Sequence, residues 1–447
     1  MINQIMKIFF YLVYGAIIRH RIHWLMVVLY SYVIKERYPD GKLGRFIATE
    51  KDNKITILAL WPDHFRGDLD VLVSTGEFRV LQIPVHWQTR LIYQYYPKNV
   101  NKLAIHIPSP DDPLYKNKTE LQSFLTGFLS KLYKKLNVEC VIGSHVELKE
   151  NLDWGEVSNN IGVPYIVLCR ESLLVSPNIK KIILERVKRI GCFNGSHMVV
   201  HNEDCRQFYI DNGYVGPDRI SALGCLRMDN FKAKIQQCKT VTNRRKKVMI
   251  FPFYLSQFQD YSLYPCFRDI YTTFLKFANE HPEIDVVIKP KNKKEYKILD
   301  EMLDRIVEGT EIVFEKISNL YIRSELDVQE LLFETDVVCG LRTTALLEAA
   351  IAGKPVIIPY FKDLRDPKYD GYINFRDSFH LFDIAKDVNE LESIIIYRLH
   401  NPTIDEKIME EREALFEKYV SSMKGDATER YVALIKSVVG EESKREC

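Results

Sequence analysis

Three groups of residues in this chain combine side-chain type and spacing in ways that could do chemistry. The first is Arg342-Thr343-Thr344, which follows an apolar run ending at Gly340 and precedes a helical stretch carrying Glu348. Backbone N–H groups opening such a helix are unpaired, and the helix dipole adds positive potential there, so the place suits a phosphate. Arg342, Thr343 and Thr344 add side-chain donors, and Glu348, one turn on, is placed to accept from ribose hydroxyls. An ordinary β-α-β unit with a well-capped helix explains the glycine and the threonines but leaves the Arg-Thr-Thr cluster unexplained. The second group, Lys289-Pro290-Lys291, follows the apolar run at 285–288, and cations at the carboxyl end of a parallel strand can neutralise an anion. The third is a pair of acids just past strand ends: Glu171, after the run at 164–169, and Asp229, after the run at 220–223. Two carboxylates facing one ligand can divide labour, one attacking or stabilising a carbon and the other moving a proton. Arg227 beside Asp229 could hold an anion or keep Asp229 ionised. Either acid could equally cap a helix, and Glu156 rivals Glu171.

The loop after the first apolar strand, residues 61–70, offers Asp63, His64 and Arg66 as candidates to contact a second substrate, with turn formation as the plainer role. Asp68-Leu69-Asp70 has the Asp-x-Asp spacing of some metal sites. Its place at the start of a helix, where the dipole favours carboxylates, is the better explanation. His197 and His201 straddle an apolar run with no third ligand in register. No metal and no cofactor are therefore expected.

These residues need elements to hold them. Apolar runs at 55–60, 78–83, 138–142, 164–169, 198–200 and 220–223 alternate with helical periodicity, and the pattern restarts at 248–251, 285–288, 312–314, 337–338 and 355–359. That alternation predicts an α/β protein with two doubly wound, Rossmann-like domains facing across a cleft. The expected division is a helical segment at 1–53, a first domain at 54–235, a linker at 236–247, a second domain at 248–400 and terminal helices at 401–447. Asn243-Arg244-Arg245-Lys246-Lys247 reads as part of the linker because nothing in it can cover a core. The net charge of +2, from 62 basic and 60 acidic residues, excludes a general nucleic-acid field. The nine cysteines are scattered, several of them within apolar runs, which favours buried thiols and a reducing, cytoplasmic compartment. The apolar runs at 5–18 and 24–34 are each shorter than the roughly 18–20 residues a membrane span needs. They read as helices packed on the first domain, with a helix lying on the inner membrane face as the alternative.

The segment 335–359 resembles the donor-binding element of GT-B glycosyltransferases of bacterial surface polysaccharide synthesis. Gly224-Cys-Leu-Arg-Met-Asp229 resembles the matching stretch of retaining β-Kdo transferases, which build capsule linkers and certain O-antigens. The resemblance runs in patches from about residue 55 to 385. It implies a GT-B fold and transfer of Kdo from CMP-Kdo through an aspartyl-glycosyl adduct, the nucleotide sugar being substrate rather than cofactor. It makes Asp229 the nucleophile and Glu171 the acid/base, and assigns Arg227, Lys289, Lys291, Arg342, Thr343, Thr344 and Glu348 to the donor. The acceptor would be lipid-linked or an oligosaccharide. Related transferases read Lys-Pro-His-Pro where this chain has Lys291 in place of the histidine, which leaves the donor open. A UDP-sugar or CDP-polyol donor, an epimerase, and a non-catalytic glycan- or nucleotide-binding scaffold are the alternatives.

Overall fold

The computed structural model describes residues 13–45, 53–97, 110–170, 174–237, 244–252, 261–308 and 312–445. The chain divides into two compact units. Unit 1 takes the described residues within Met1–Leu173, Ile182–Asp229 and Val420–Cys447, and unit 2 those within Leu174–Lys181 and Asn230–Tyr419.

Unit 1 is built on eight strands: β1 (Lys35–Arg37), β2 (Leu43–Arg45), β3 (Ile55–Leu60), β4 (Phe78–Ile83), β5 (Cys140–Gly143), β6 (Tyr165–Leu168), β7 (His197–Val200) and β8 (Ile220–Ala222). Their order is β2-β1-β4-β3-β5-β6-β7-β8, parallel from β4 to β8. Sequence order reverses between β3 and β5, so the switch point lies beside the loop that leaves β3. Strands covered on both faces carry uninterrupted apolar runs, and Ile57, Leu58, Ala59 and Leu60 are fully buried. The β1–β2 hairpin pairs antiparallel with β4, so the described part of the segment expected to be helical at 1–53 holds two strands as well. Lys35-Glu36-Arg37 has no apolar alternation, so its strand character comes from docking on the sheet edge. The helix His23–Val33 packs Tyr30 among Trp87, Phe128 and Trp154, with ring centroids 4.8–6.1 Å apart. Among the described residues no helix is long and apolar enough to cross a membrane. The helix Ala427–Arg445 returns from the far end of the sequence and buries Tyr431 and Ile435 in this core.

Unit 2 has six strands: β9 (Lys247–Ile250), β10 (Asp285–Ile288), β11 (Leu320–Ile322), β12 (Val337–Cys339), β13 (Val356–Pro359) and β14 (Asp383–Ala385). All are parallel, in the order β11-β10-β9-β12-β13-β14. Renumbered from β9 this is 3-2-1-4-5-6, the dinucleotide-fold order, with its switch point between β9 and β12. The expected strand at 312–314 does not form. Phe314–Lys316 is a short 3-10 turn, Val313 is exposed, and the edge pairing goes to β11 instead. Two apolar side chains beside a buried phenylalanine were too short a signal.

The expected linker needs correction too. The helix Leu226–Gln237 runs into it and β9 starts at Lys247; residues 238–243 lie outside the described set. Arg244 grips Asp336 with both terminal nitrogens (2.6 and 3.0 Å), Arg245 meets Asp285, and Lys247 meets Glu334. Asp285 opens β10 and Asp336 precedes β12. The basic run therefore pins the amino ends of the sheet rather than idling in solvent. Of the cysteines described, Cys140, Cys169, Cys205, Cys225, Cys266 and Cys339 are buried free thiols and Cys192 is exposed.

Candidate functional site

In open parallel sheets ligands sit beyond the carboxyl ends of the strands, at the switch point. In unit 2 that place is where β12 gives way to Gly340 and Arg342. A Cβ on Gly340 would lie 3.0 Å from Leu346 Cδ2 and 3.2 Å from Phe251 Cβ, so a glycine lets the ends of β9 and β12 come together. The helix that follows, Ala345–Ile351, is only two turns long. Thr343 Oγ1 accepts from the Ala345 N–H at 3.3 Å, while Thr344 makes no side-chain cap. Arg342 is half-buried with its guanidinium 5.4 Å above the Tyr372 ring, and burial pulls it below its usual range. Glu348 is buried and accepts from Gln329 Nε2 at 2.9 Å.

The second basic element has other engagements. Lys289 is buried, and its ammonium donates to the carbonyls of Pro290 (2.8 Å) and Ser324 (3.3 Å). Burial lowers its pKa, against the pull of Asp327, Glu325 and Glu295. Lys291 is exposed and its backbone N–H meets Glu295. Asn292 caps the helix Lys293–Val307, so this turn is also a helix start.

In unit 1 the loop after β3 is strained: Trp61 and Arg66 both adopt positive φ (50° and 46°) ahead of Gly67. It is tied down by Trp61 N–H to Gln88 Oε1 and by Arg170 Nη1 to the His64 carbonyl, 2.7 Å. Asp63 and Arg66 are exposed, and the His64 ring leans on Trp61. Arg170, directly after β6, is buried with its Nε 2.9 Å from Asp68 Oδ2. Burial pulls the Arg170 guanidinium below its usual range; Asp68 opposes this, and Arg227 and Arg66 add to it. His201, just past β7, is buried beside the same Arg227 and Arg170, and burial foremost brings its pKa down to about 3. It is therefore a neutral imidazole near neutrality. The structure thus gathers Arg66, Arg170, Arg227, Asp68 and His201 at the carboxyl end of this sheet. Asp68 Oδ1, also buried, accepts no hydrogen bond from the described residues.

Arg170 was not singled out from sequence, and Asp68 was weighed there only as half of an Asp-x-Asp spacing. The signal for Arg170 was present, a basic residue immediately after a strand, the rule that selected Lys289. Asp68 and Asp70 part company: Asp70 takes Arg37 in a two-pronged pair at 2.6 and 2.8 Å. Among the described residues no cluster of three or more potential metal ligands occurs.

Asp229 lies in the first turn of the helix Leu226–Gln237. Its Oδ2 accepts from both the backbone N–H (2.7 Å) and Oγ1 (2.8 Å) of Thr428, at the start of the C-terminal helix. Glu171 lies outside the described residues. Glu156 faces Lys118 (3.3 Å) and Gln122 (3.0 Å) beside a cavity of about 290 Å³. That cavity's wall includes Tyr165, which opens β6, and residues 191–195, which lead into β7. These are amino ends, whereas Asp229 follows a carboxyl end. Neighbouring Asp153 is buried, which raises its pKa to about 6; Glu156 adds to the rise, while Lys118 and Gln122 oppose it. The folded state thus holds this proton more tightly than the unfolded chain, whose value is near 3.8. The resulting stabilisation is complete below about pH 4 and is lost as pH rises through 6. Asp153→Asn is therefore expected to raise stability above pH 7 by about 3 kcal/mol, the gain vanishing near pH 4 in denaturant titrations.

With both strand orders and both switch points described, the architecture is decided. The fold is GT-B. A putative UDP-N-acetylglucosamine 2-epimerase from Listeria monocytogenes superposes with a TM-score of 0.51 at 13% identity, covering 87% of this chain and 97% of that one. The S. aureus MnaA–UDP co-structure gives 0.50 at 13% identity, covering 86% and 97%. The glycotransferase of kitacinnamycin covers 87% and 100% at 12% identity, with a TM-score of 0.45. No protein-family model matches the sequence, and no curated protein matches it. At these identities the likeness is one of fold.

Proposed function

We propose that the chain is a nucleotide-sugar transferase of surface polysaccharide synthesis that moves an acidic sugar, Kdo from its CMP form, with retention. Asp229 attacks the anomeric carbon, and CMP departs with the electron pair of the broken C–O bond. Glu171 then takes the proton of the acceptor hydroxyl, on a lipid-linked or oligosaccharide acceptor, as that oxygen displaces Asp229. In unit 2, Arg342, Thr343 and Thr344 hold the phosphate and Glu348 the ribose, with Lys289 and Lys291 adding positive potential.

One observation carries the choice of an acidic sugar. Near the buried Arg170–Asp68 pair the described residues place two further guanidiniums, Arg66 and Arg227. Arg227 stands two residues from Asp229. A sugar carboxylate would meet the positive potential of these guanidiniums, and a sugar hydroxyl would give Asp68 Oδ1 a donor. A second reading has its own support. The two hydrogen bonds from Thr428 to Oδ2 give Asp229 a structural task, which suits a non-catalytic scaffold.

Thermal melts with CMP, UDP, CMP-Kdo, UDP-GlcNAc and a CDP-polyol test the donor assignment. A ligand at a hundred times its Kd adds about 2.7 kcal/mol, several degrees in Tm. The expected result is a shift with CMP and CMP-Kdo that Arg342→Ala removes. A shift with UDP alone moves the reading to a UDP-sugar, and no shift with any nucleotide overturns it.

A further inference from the structure

The helix His23–Val33 buries Met26, Val27 and Tyr30, and turns a second apolar stripe outward. Trp24, Val28 and Tyr32, spaced four apart, are 63%, 47% and 64% exposed. Leu43, on the adjoining β1–β2 hairpin, is 53% exposed. Four large apolar side chains left to water within one helix and its neighbouring hairpin are too many for incidental exposure.

The charges around the stripe decide what covers it. Residues 13–45 hold six basic side chains (Arg19, Arg21, Lys35, Arg37, Lys42, Arg45) against two acidic ones (Glu36, Asp40), a net of +4 where the whole chain carries +2. Both acids already face cations, Glu36 against Arg79 and Asp40 against Lys42, and of the six basic side chains Arg37 is itself paired with Asp70. Lys35 Nζ and the Arg45 guanidinium sit 5.4 and 5.6 Å from the Tyr32 ring, so cation and aromatic form one surface. Amphipathic aromatic rings beside long basic side chains suit the headgroup boundary of a bilayer: the rings enter the acyl edge while the cations reach lipid phosphates. A protein partner of ordinary surface charge would leave those cations unbalanced.

We propose that this face of unit 1 docks on an anionic lipid surface, with Trp24, Val28 and Tyr32 inserted and Lys35 and Arg45 on the headgroups. The inference is independent of the donor and of the reaction. It also places an enzyme of this kind where a lipid-linked substrate would be found.

Co-sedimentation of the full chain with extruded vesicles tests it. Binding is expected to vesicles containing phosphatidylglycerol, to weaken with added salt, and to be slight on phosphatidylcholine alone. Lys35→Gln with Arg45→Gln should weaken binding roughly 30-fold, each cation being worth about a factor of five near such a surface. Trp24→Ser with Tyr32→Ser should lower it at least about tenfold. All four positions are at the surface, and unchanged melting curves will show that the variants fold. Equal binding to both vesicle types, or variants that bind like the parent, overturns the proposal. So does a dimer seen by sedimentation velocity that the Trp24/Tyr32 variant dissolves, since a second copy would then own the face.

Discussion

Asp229→Asn is expected to abolish sugar transfer, by about a thousandfold or more, while leaving the melting temperature within a few degrees of the parent. The choice of asparagine matters. Its amide oxygen can still accept from the N–H and Oγ1 of Thr428, so the tie to the C-terminal helix survives, but it cannot attack an anomeric carbon. Asp229→Ala confounds the two roles, because it also leaves the start of that helix without its acceptor, a loss of about 1 kcal/mol. Thr428→Val is the complementary probe. It removes one donor to Oδ2 and keeps the nucleophile, so it should lower stability slightly and leave transfer within about tenfold. Intact-mass measurement with donor alone adds a direct readout: the parent should gain the mass of one sugar residue and the asparagine variant none. Transfer by the asparagine variant equal to the parent's, with no adduct on either protein, would assign Asp229 to the helix anchor, and the absence of any transfer or adduct from the parent would leave the scaffold reading in possession.

How far this could be read from sequence differs between fold and site. Parallel strands buried on both faces write themselves as unbroken apolar runs, which is why β3, β4, β10 and β13 were found nearly to the residue. Short edge elements do not. β1 and β2 are polar and are made strands by the neighbour they pair with, and β11 displaced a better-looking run at 312–314. The basic stretch before β9 was legible as charge but not as structure. Its partners, Asp285, Glu334 and Asp336, lie between 40 and 92 residues away. The return of the C-terminal helix to unit 1 has no local signal at all, since Tyr431 and Ile435 look like any amphipathic pair.

The candidate site was legible one residue at a time and not as a constellation. The rule that matters is positional: a charged residue directly after a parallel strand lands at the ligand-binding end. Applied consistently it selects Arg170 along with Lys289. It cannot say that Lys289 spends its donors on two carbonyls, that Glu348 is held by Gln329, or that Asp229 is held by Thr428. Those are contacts with remote residues, and they shift what each side chain is available to do.

The buried pair Asp68–Arg170 gives the largest expected effect on stability. Both side chains are less than a tenth exposed, and Arg66 and Arg227 add like charge near Arg170. Asp68→Ala strands a guanidinium that Arg66 and Arg227 already oppose, and unpairing a buried charge typically costs about 3–5 kcal/mol. The loss should fall chiefly on folding, read as a drop in denaturant midpoint at unchanged slope. Because the cost comes from the orphaned charge and not from the missing carboxylate, Arg170→Met in the same chain should recover most of it. The pair would then show strong coupling in a double-mutant cycle. A cycle without coupling would mean that solvent reaches Arg170, and its neighbours would then hold an anion far more weakly. An added anion separates the two cases further. If the arginines hold an acidic ligand, Kdo or phosphate should raise the melting temperature of Asp68→Ala more than that of the parent, because the ligand then restores negative charge that the substitution removed. Equal shifts would leave the pair as a structural tie and take away the chief support for an acidic sugar.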